Sequence, residues 1–308
     1  MRYGVVGVGG VGGFYGGMLA KGGFETVFVT KQRYLSVFKD KGLTVESYKH
    51  GKFTVKESGK VVFTDSYDVL KDCDVVLLCV KSYDTESVVQ ELSKVNGDFA
   101  VVSVQNGIEN EEIIGRYLGD DRVIGATAFI GSYLKEPGVI VHEAAGLLEI
   151  GEIDGKISDR IKHIAADMEK AGIDVRISKD INYTLWKKLL WNVAFNPYSV
   201  VTGVTVGQML EFEYTRSILK NLMLECKKVA AAYGISLKDS TIEGYLKSSS
   251  DLREYKTSML LDFERGKPIE IEGITGALIR KAKRKGMKIP YNECVYGTVK
   301  FFDLQRKI

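Results

Sequence analysis

Cysteine, histidine and proline are all scarce in this chain, at four, three and four of 308 residues. Cys73, Cys79, Cys226 and Cys294 form no C-x-x-C pair, and no two stand at metal-ligand spacing with a histidine. The expectation is reduced thiols in a cytosolic core. His50, His142 and His163 include no H-E-x-x-H, so no metal site is expected. No apolar run reaches the ~20 residues that a membrane span requires. Met1-Arg2 lead straight into Tyr3-Gly4-Val5-Val6, and glycine interrupts the apolar run at once, unlike a secretory signal. The formal charge of +3 is small for this length and gives no reason to invoke nucleic acid or an anionic membrane. A cytoplasmic location with neither kind of partner is therefore expected. Internal repeats and low-complexity segments are also lacking.

What is present is an ordinary globular composition, 45% hydrophobic and 27% charged, in a chain long enough for two domains. Residues 2–7 read as a short buried strand, 11–22 as a helix, 25–29 as a second strand, and the stretch to about residue 41 as a second helix. Residues 43–63 alternate apolar and polar positions around Gly51 and Gly59, which suggests a small antiparallel excursion. Asp74–Val80 is a continuous apolar run, as suits a parallel strand covered on both faces. A helix over 84–95 and a strand over Phe99–Val104 follow. Several strand-like runs occupy 122–150, separated by Gly131, Pro137-Gly138 and Gly146; a helix near 157–171 and a strand near 173–177 complete this half. From residue 180 helical periodicity dominates, with breaks expected near Pro197, Gly203, Gly234, Gly266-Lys267-Pro268 and Pro290. The pattern predicts an α/β fold: a doubly wound parallel sheet over residues 1–178, followed by an all-helical domain over 179–308.

Gly7-Val8-Gly9-Gly10-Val11-Gly12 matches G-x-G-x-x-G, and it lies where the first strand ends and the first helix begins. That context makes it a Rossmann-type dinucleotide fingerprint. Gly7 permits the tight turn, Gly9 lets a pyrophosphate approach the backbone at a helix N-terminus, and Gly12 lets helix and strand pack closely. A glycine-rich turn without a ligand is the alternative. An NAD site normally places Asp or Glu ~20 residues further on, at the end of the second strand. Here that strand ends Val29-Thr30-Lys31-Gln32-Arg33, and Glu25 comes too early. Lys31 and Arg33 would attract a 2′-phosphate, so NADP is the expected cofactor; a solvated basic helix start is the other reading.

Lys188, Asn192 and Asn196 are spaced four apart and share one helix face. Trp186, Leu189, Leu190, Trp191, Val193 and Phe195 surround them, so the helix is expected to be buried. Buried amides left unpaired cost on the order of 1–3 kcal/mol each, and a polar ligand is one good partner. Backbone partners for the asparagines and a solvated Lys188 would satisfy the same pattern.

The fingerprint at 7–12, Val80-Lys81-Ser82, Gln105-Asn106-Gly107, Trp186-Lys187-Lys188, Asn192, Asn196-Pro197, Ser258-Met259 and Glu270 together resemble the ketopantoate reductase (2-dehydropantoate 2-reductase) family. The resemblance implies NADPH-dependent reduction of 2-dehydropantoate to pantoate, on the route to pantothenate and coenzyme A. It implies that Lys188 is the catalytic lysine that protonates the oxygen left by hydride transfer. Asn192 and Asn196 would bind substrate, Ser258 its carboxylate, and Glu270 would lie near the nicotinamide ribose and substrate. Lys81 and Asn106 would contact the cofactor, with Asn106 also near the substrate, and Gly131 falls near a position whose backbone touches the cofactor. The chemistry suits these residue types: hydride addition builds charge on oxygen, which a nearby cation stabilises, and a lysine is a competent acid if its surroundings draw its pKa downward. Two departures stand out. Val206 stands eighteen residues after Lys188, where some family members carry a further substrate-binding asparagine, and Lys31 stands where an arginine often reads the 2′-phosphate. A reductase of another small 2-oxo acid, or a non-catalytic NADPH sensor, are the competing functions; the partner expected is a small molecule, with the chain as monomer or homodimer.

Arg280–Lys288 is a basic run that reads as a solvated helix end before Gly286, since cations suit a helix C-terminus. Phe301 and Phe302 could pack on the core or on another subunit.

Overall fold

The computed structural model describes residues 1–247 and 252–306. The chain divides into two compact units, Met1–Gln105 with Asn110–Ile181, and Asn106–Glu109 with Asn182–Ile308. The division thus falls after Ile181, and Asn106–Glu109, expected within the first domain, stands with the second unit. The last two residues of the expected second domain lie outside the described residues.

The first unit is built on β1 (Arg2–Val6), β2 (Glu25–Val29), β3 (Leu43–Ser47), β4 (Gly51–Val55), β5 (Val61–Thr64), β6 (Val75–Leu78), β7 (Ala100–Ser103), β8 (Val123–Glu136), β9 (Val139–Glu152) and β10 (Val175–Ile177). Its helices are α1 (Gly10–Lys21), α2 (Gln32–Lys41), α3 (Thr85–Leu92), α4 (Asn110–Leu118) and α5 (Asp159–Lys170). One sheet runs β4-β3-β9-β8-β7-β6-β1-β2-β5, with β10 paired to β9. From β5 to β8 every pairing is parallel. Strand alternation sends Val5, Phe28, Leu77 and Val102 to one face, against Phe14, Met18 and Leu19 of α1 and Ile161, Ile164 and Met168 of α5. Val6, Val27, Val76, Leu78 and Val101 face the other way, against Val88, Val89 and Leu92 of α3 and Ile114 of α4. Covered on both sides, β6 is buried at every position, which is why its sequence is unbroken Val-Val-Leu-Leu.

Three elements differ from the sequence reading. The excursion over 43–63 is an antiparallel hairpin only in β3 and β4; β5 leaves it and joins β2 in parallel. Helix α4 was not anticipated. The runs over 122–150 are two 14-residue strands paired antiparallel, and Gly131 and Gly146 lie inside or beside bulges rather than between separate strands. The register shifts at Phe129/Ile130, Gly131/Ser132 and Leu134/Glu136 absorb the breaks in alternation that suggested separate strands.

The second unit consists of helices: α6 (Ile181–Thr202, beginning at the boundary), α7 (Val206–Glu211), α8 (Glu213–Ala232), α9 (Asp239–Tyr245), α10 (Ser258–Glu264), α11 (Ala277–Arg284) and α12 (Pro290–Gln305). A π-helical turn, Glu272–Gly276, leads into α11. The break expected at Pro197 does not occur, and α6 continues five residues beyond it to Thr202. Burial of the surrounding side chains holds the helix together there, and local hydroxyls supply donors to its last carbonyls. Ser199 Oγ donates to the Asn196 carbonyl at 2.8 Å, and Thr202 Oγ1 to that of Tyr198 at 3.0 Å. Gly203, at φ +71°, then ends the helix. The basic run at 280–288 is only partly solvated. Lys281 is buried, with its ammonium 5.0 Å from the centre of the Tyr233 ring. Phe301 is exposed and Phe302 half-buried. Among the described residues, no helix is long and apolar enough to cross a membrane, and no group of three or more His, Cys, Asp or Glu could hold a metal ion.

Glu225 of α8 ties this unit together. Its carboxylate accepts from the backbone N–H of Tyr291 at 3.0 Å and of Asn292 at 2.9 Å, and from Asn292 Nδ2 at 2.8 Å, so it caps the start of α12. Glu225→Ala leaves these buried donors without their carboxylate partner. It is expected to lower the unfolding free energy by about 2–3 kcal/mol, measured by chemical denaturation, with Glu225→Gln intermediate.

Candidate functional site

Strands β1, β2, β6 and β7 are parallel neighbours, so their carboxyl ends share one edge of the sheet. The chain winds from β1 to β2 on one side and returns through β6 to the other, so this edge lies at the point where strand order reverses and where such sheets take up ligands. The turn Gly7–Gly12 follows β1, Lys31 lies two residues beyond β2, Lys81 three beyond β6, and Gln105 two beyond β7.

The glycines of the turn have separate reasons. Gly7 adopts φ +97°, and a Cβ there would stand 2.8 Å from the Val80 nitrogen. A Cβ on Gly12 would run into the Gly7 carbonyl oxygen and lie 2.9 Å from Cys79 Cβ; one on Gly10 would lie 2.5 Å from the Ser132 carbonyl oxygen. Gly9 is different. At φ −93° it needs no special backbone freedom, and a Cβ would meet nothing within 4 Å. The protein's own packing gives no reason for glycine there, whereas a phosphate brought against the backbone does. Gly9 is also the N-cap of α1, and Gly13 N–H, donating to the Gly9 carbonyl at 2.7 Å, is the first to be satisfied within the helix. The amides of Gly10, Val11 and Gly12 precede it, and no acidic residue occupies the first turn. Val8 is buried beneath the turn. These residues fit a dinucleotide pyrophosphate.

Around this turn, Gly131 lies next to Ser132, whose carbonyl faces Gly10. Lys31 is 65% exposed, with Nζ 3.5 Å from Asp84 Oδ2. An ion pair so exposed is weak, so Lys31 is available to an incoming phosphate. Arg33 stacks over Tyr34 at 4.7 Å. Lys81 is half-buried and precedes the short turn Ser82–Asp84.

In the second unit, Asn192 and Asn196 are buried at 6% and 4% exposure on α6, and Lys188 is half-buried one turn earlier. Ser258 is exposed at the first position of α10. The two helices are joined through buried hydroxyls: Thr257, the N-cap of α10, lies 2.7 Å from Ser199 Oγ, which itself donates to the Asn196 carbonyl. Glu270 is buried, and Asn106 Nδ2 donates to its Oε2 at 3.5 Å. Val206 is wholly buried at the start of α7, its N–H donating to the Tyr255 carbonyl at 2.9 Å. Its side chain serves packing.

The family description "Ketopantoate reductase PanE/ApbA" matches residues 3–155, and its C-terminal counterpart matches 180–303. The chain belongs to the ketopantoate reductase family. A 2-dehydropantoate 2-reductase of Nostoc sp. is 33% identical over 98% of this chain and 95% of its own length. The crystal structure of 2-dehydropantoate 2-reductase from Methylococcus capsulatus superposes with a TM-score of 0.89 at 34% identity, covering 100% of this chain and 98% of that one. A ternary structure of D-mandelate dehydrogenase with NADH and anilino(oxo)acetate has a TM-score of 0.91 at 21% identity with full coverage of both chains, a likeness of fold. Like its family, the chain is an oxidoreductase that uses a nicotinamide dinucleotide.

The family motif named Gln105 without giving it a role, and the structure supplies one. Its buried Nε2 donates to the Val80 carbonyl at 2.9 Å and to Thr85 Oγ1 at 2.7 Å, and Thr85 Oγ1 donates to Asn110 Oδ1 at 2.9 Å. This chain of hydrogen bonds fixes the loop bearing Lys81. The sequence signal was a string of polar residues at the ends of apolar strands, which is visible but not assignable without the pairing.

The contrast between Gly9 and Gly12 is testable. Gly9→Ala should fold with an unchanged thermal midpoint yet lose dinucleotide affinity in a fluorescence titration. Gly12→Ala should lower stability by about 1–3 kcal/mol even without cofactor.

Proposed function

We propose that this protein reduces 2-dehydropantoate to pantoate with NADPH, on the route to pantothenate and coenzyme A. In this reading residues 1–178 act as the dinucleotide-binding domain and residues 179–308 as the substrate and catalytic domain. The observation that carries the reading is the face of α6, where two buried amides, Asn192 and Asn196, and a half-buried Lys188 follow one another at turn spacing in an otherwise apolar helix. When bound, NADPH supplies the hydride. Lys188 donates a hydrogen bond to the ketone oxygen, stabilises the charge that grows there, and gives its proton to form the alcohol. Asn192 and Asn196 orient the substrate, and Ser258 donates to its carboxylate. Glu270 and Asn106 hold the nicotinamide ribose beside the substrate. Gly7–Gly12 with Lys81 and Gly131 hold the rest of the dinucleotide, and Lys31 meets the 2′-phosphate. The protein acts in the cytoplasm, as monomer or homodimer.

Val206 supports a second reading. An apolar, fully buried side chain at the family asparagine position removes one amide from the substrate's surroundings, as would suit another small 2-oxo acid. Following NADPH absorbance with 2-dehydropantoate and a panel of 2-oxo acids separates the two; highest kcat/KM on 2-dehydropantoate supports the first.

Lys188→Ala is expected to reduce kcat by about 10²–10⁴-fold while NADPH binds with near wild-type affinity. Normal turnover would remove the proton-donor role. Lys31→Asp is expected to weaken NADPH about tenfold or more and NADH far less; equal losses would remove the phosphate role.

A further inference from the structure

The geometry points to Arg280 as a positioning residue that sets where Asn106 stands against Glu270. This rests on the reductase reading above, in which Asn106 and Glu270 border the nicotinamide and substrate.

Asn106 Nδ2 and Glu270 Oε2 are 3.5 Å apart, the long limit of a hydrogen bond, so this contact is too weak to fix its own geometry. A near neighbour of each partner is bound by one guanidinium, that of Arg280. Glu109, three residues after Asn106, accepts from Arg280 Nε at 3.0 Å and Nη2 at 2.7 Å. Glu272, two residues after Glu270, accepts from Arg280 Nη1 at 3.2 Å on its carboxylate and from Nη2 at 2.9 Å on its carbonyl. A planar fork with fixed donors sets the spacing between the two segments. Arg284 adds charge 3.6 Å from the other oxygen of Glu109.

The surrounding structure is shaped for this arrangement. Glu272 opens the π-helical turn, a geometry often found at functional positions. Gly276 leaves it room: a Cβ there would stand 2.7 Å from Glu272 Oε2 and 3.2 Å from Arg280 Nη1. Tyr296 Oη and Lys300 Nζ, both on α12, approach the far oxygen of Glu272 at 2.7 and 2.9 Å. Burial raises the Glu272 carboxyl, but hydrogen bonds from Tyr296, Lys300 and Arg280 outweigh it, so the group stays ionised. Arg280 and Glu272 are each 44% exposed, so that ion pair adds little to stability, whereas Glu109 is 15% exposed. Its four donor contacts join the segment after Asn106 to the segment after Glu270.

The test is a kinetic cycle on the full chain with Arg280→Ala, Asn106→Ala, the double variant and Arg280→Lys. Arg280→Ala is expected to lower kcat/KM on the order of tenfold with little change in thermal midpoint. In the Asn106→Ala background it should have almost no further effect, and Arg280→Lys should recover part of the loss. Wild-type kcat/KM in Arg280→Ala, or an equal loss with and without Asn106, overturns the proposal. Hydrogen exchange at Gly107–Glu109, without cofactor or substrate, gives a second readout: it should quicken in Arg280→Ala while the core of α8 is unchanged. A wild-type chain that reduces no 2-oxo acid would sink the reductase reading alone, and unchanged exchange at 107–109 would then still sink this one.

Discussion

Helix α1 comes within backbone distance of its neighbours because five of its twelve residues carry no side chain. A Cβ on Gly12 would collide with the Gly7 carbonyl. One on Gly13 would lie 2.6 Å from Ile140, on Gly16 2.6 Å from Phe28, and on Gly17 2.9 Å from Val45. Each glycine costs about 1 kcal/mol in helix propensity relative to alanine, so this segment is a poor helix in isolation. Burial of Phe14, Tyr15, Met18 and Leu19 offsets that deficit. The rest follows from this approach. With the helix pressed onto β1, its first free amides lie at the carboxyl edge of the sheet, beside the segments that carry Lys31 and Lys81.

The same economy of structure marks the second unit, by opposite means. Here several polar groups tie one element to another. Glu225 caps α12, Ser199 and Thr257 join α6 to α10, and Arg280 spans Glu109 and Glu272. Such networks specify one arrangement because a half-satisfied version is costly. Rigid placement suits the reaction proposed above, in which hydride and proton must reach the two atoms of one carbonyl group.

Much of this was legible in the sequence where local rules govern. The strand–glycine–helix order of residues 2–21, the apolar run Val75–Leu78 and the shared face of Lys188, Asn192 and Asn196 all follow from periodicity. What was not legible depends on partners far away in the chain. Strand β5 has too short a pattern to reveal that it extends β2. Pro197 reads as a break because the packing that buries α6 around it is tertiary. Arg280 looked like one charge in a solvated run, since the carboxylate it holds is 171 residues away. Lys281 looked solvated because the Tyr233 ring that covers it belongs to another helix.

The most direct measurement is an NADPH titration followed through the backbone amide resonances of the full chain. The account predicts that Gly10, Val11 and Gly12 show the largest downfield shifts, as their N–H groups take up the pyrophosphate. Amides at that turn left unmoved at saturating NADPH, with changes confined to other segments, would contradict it.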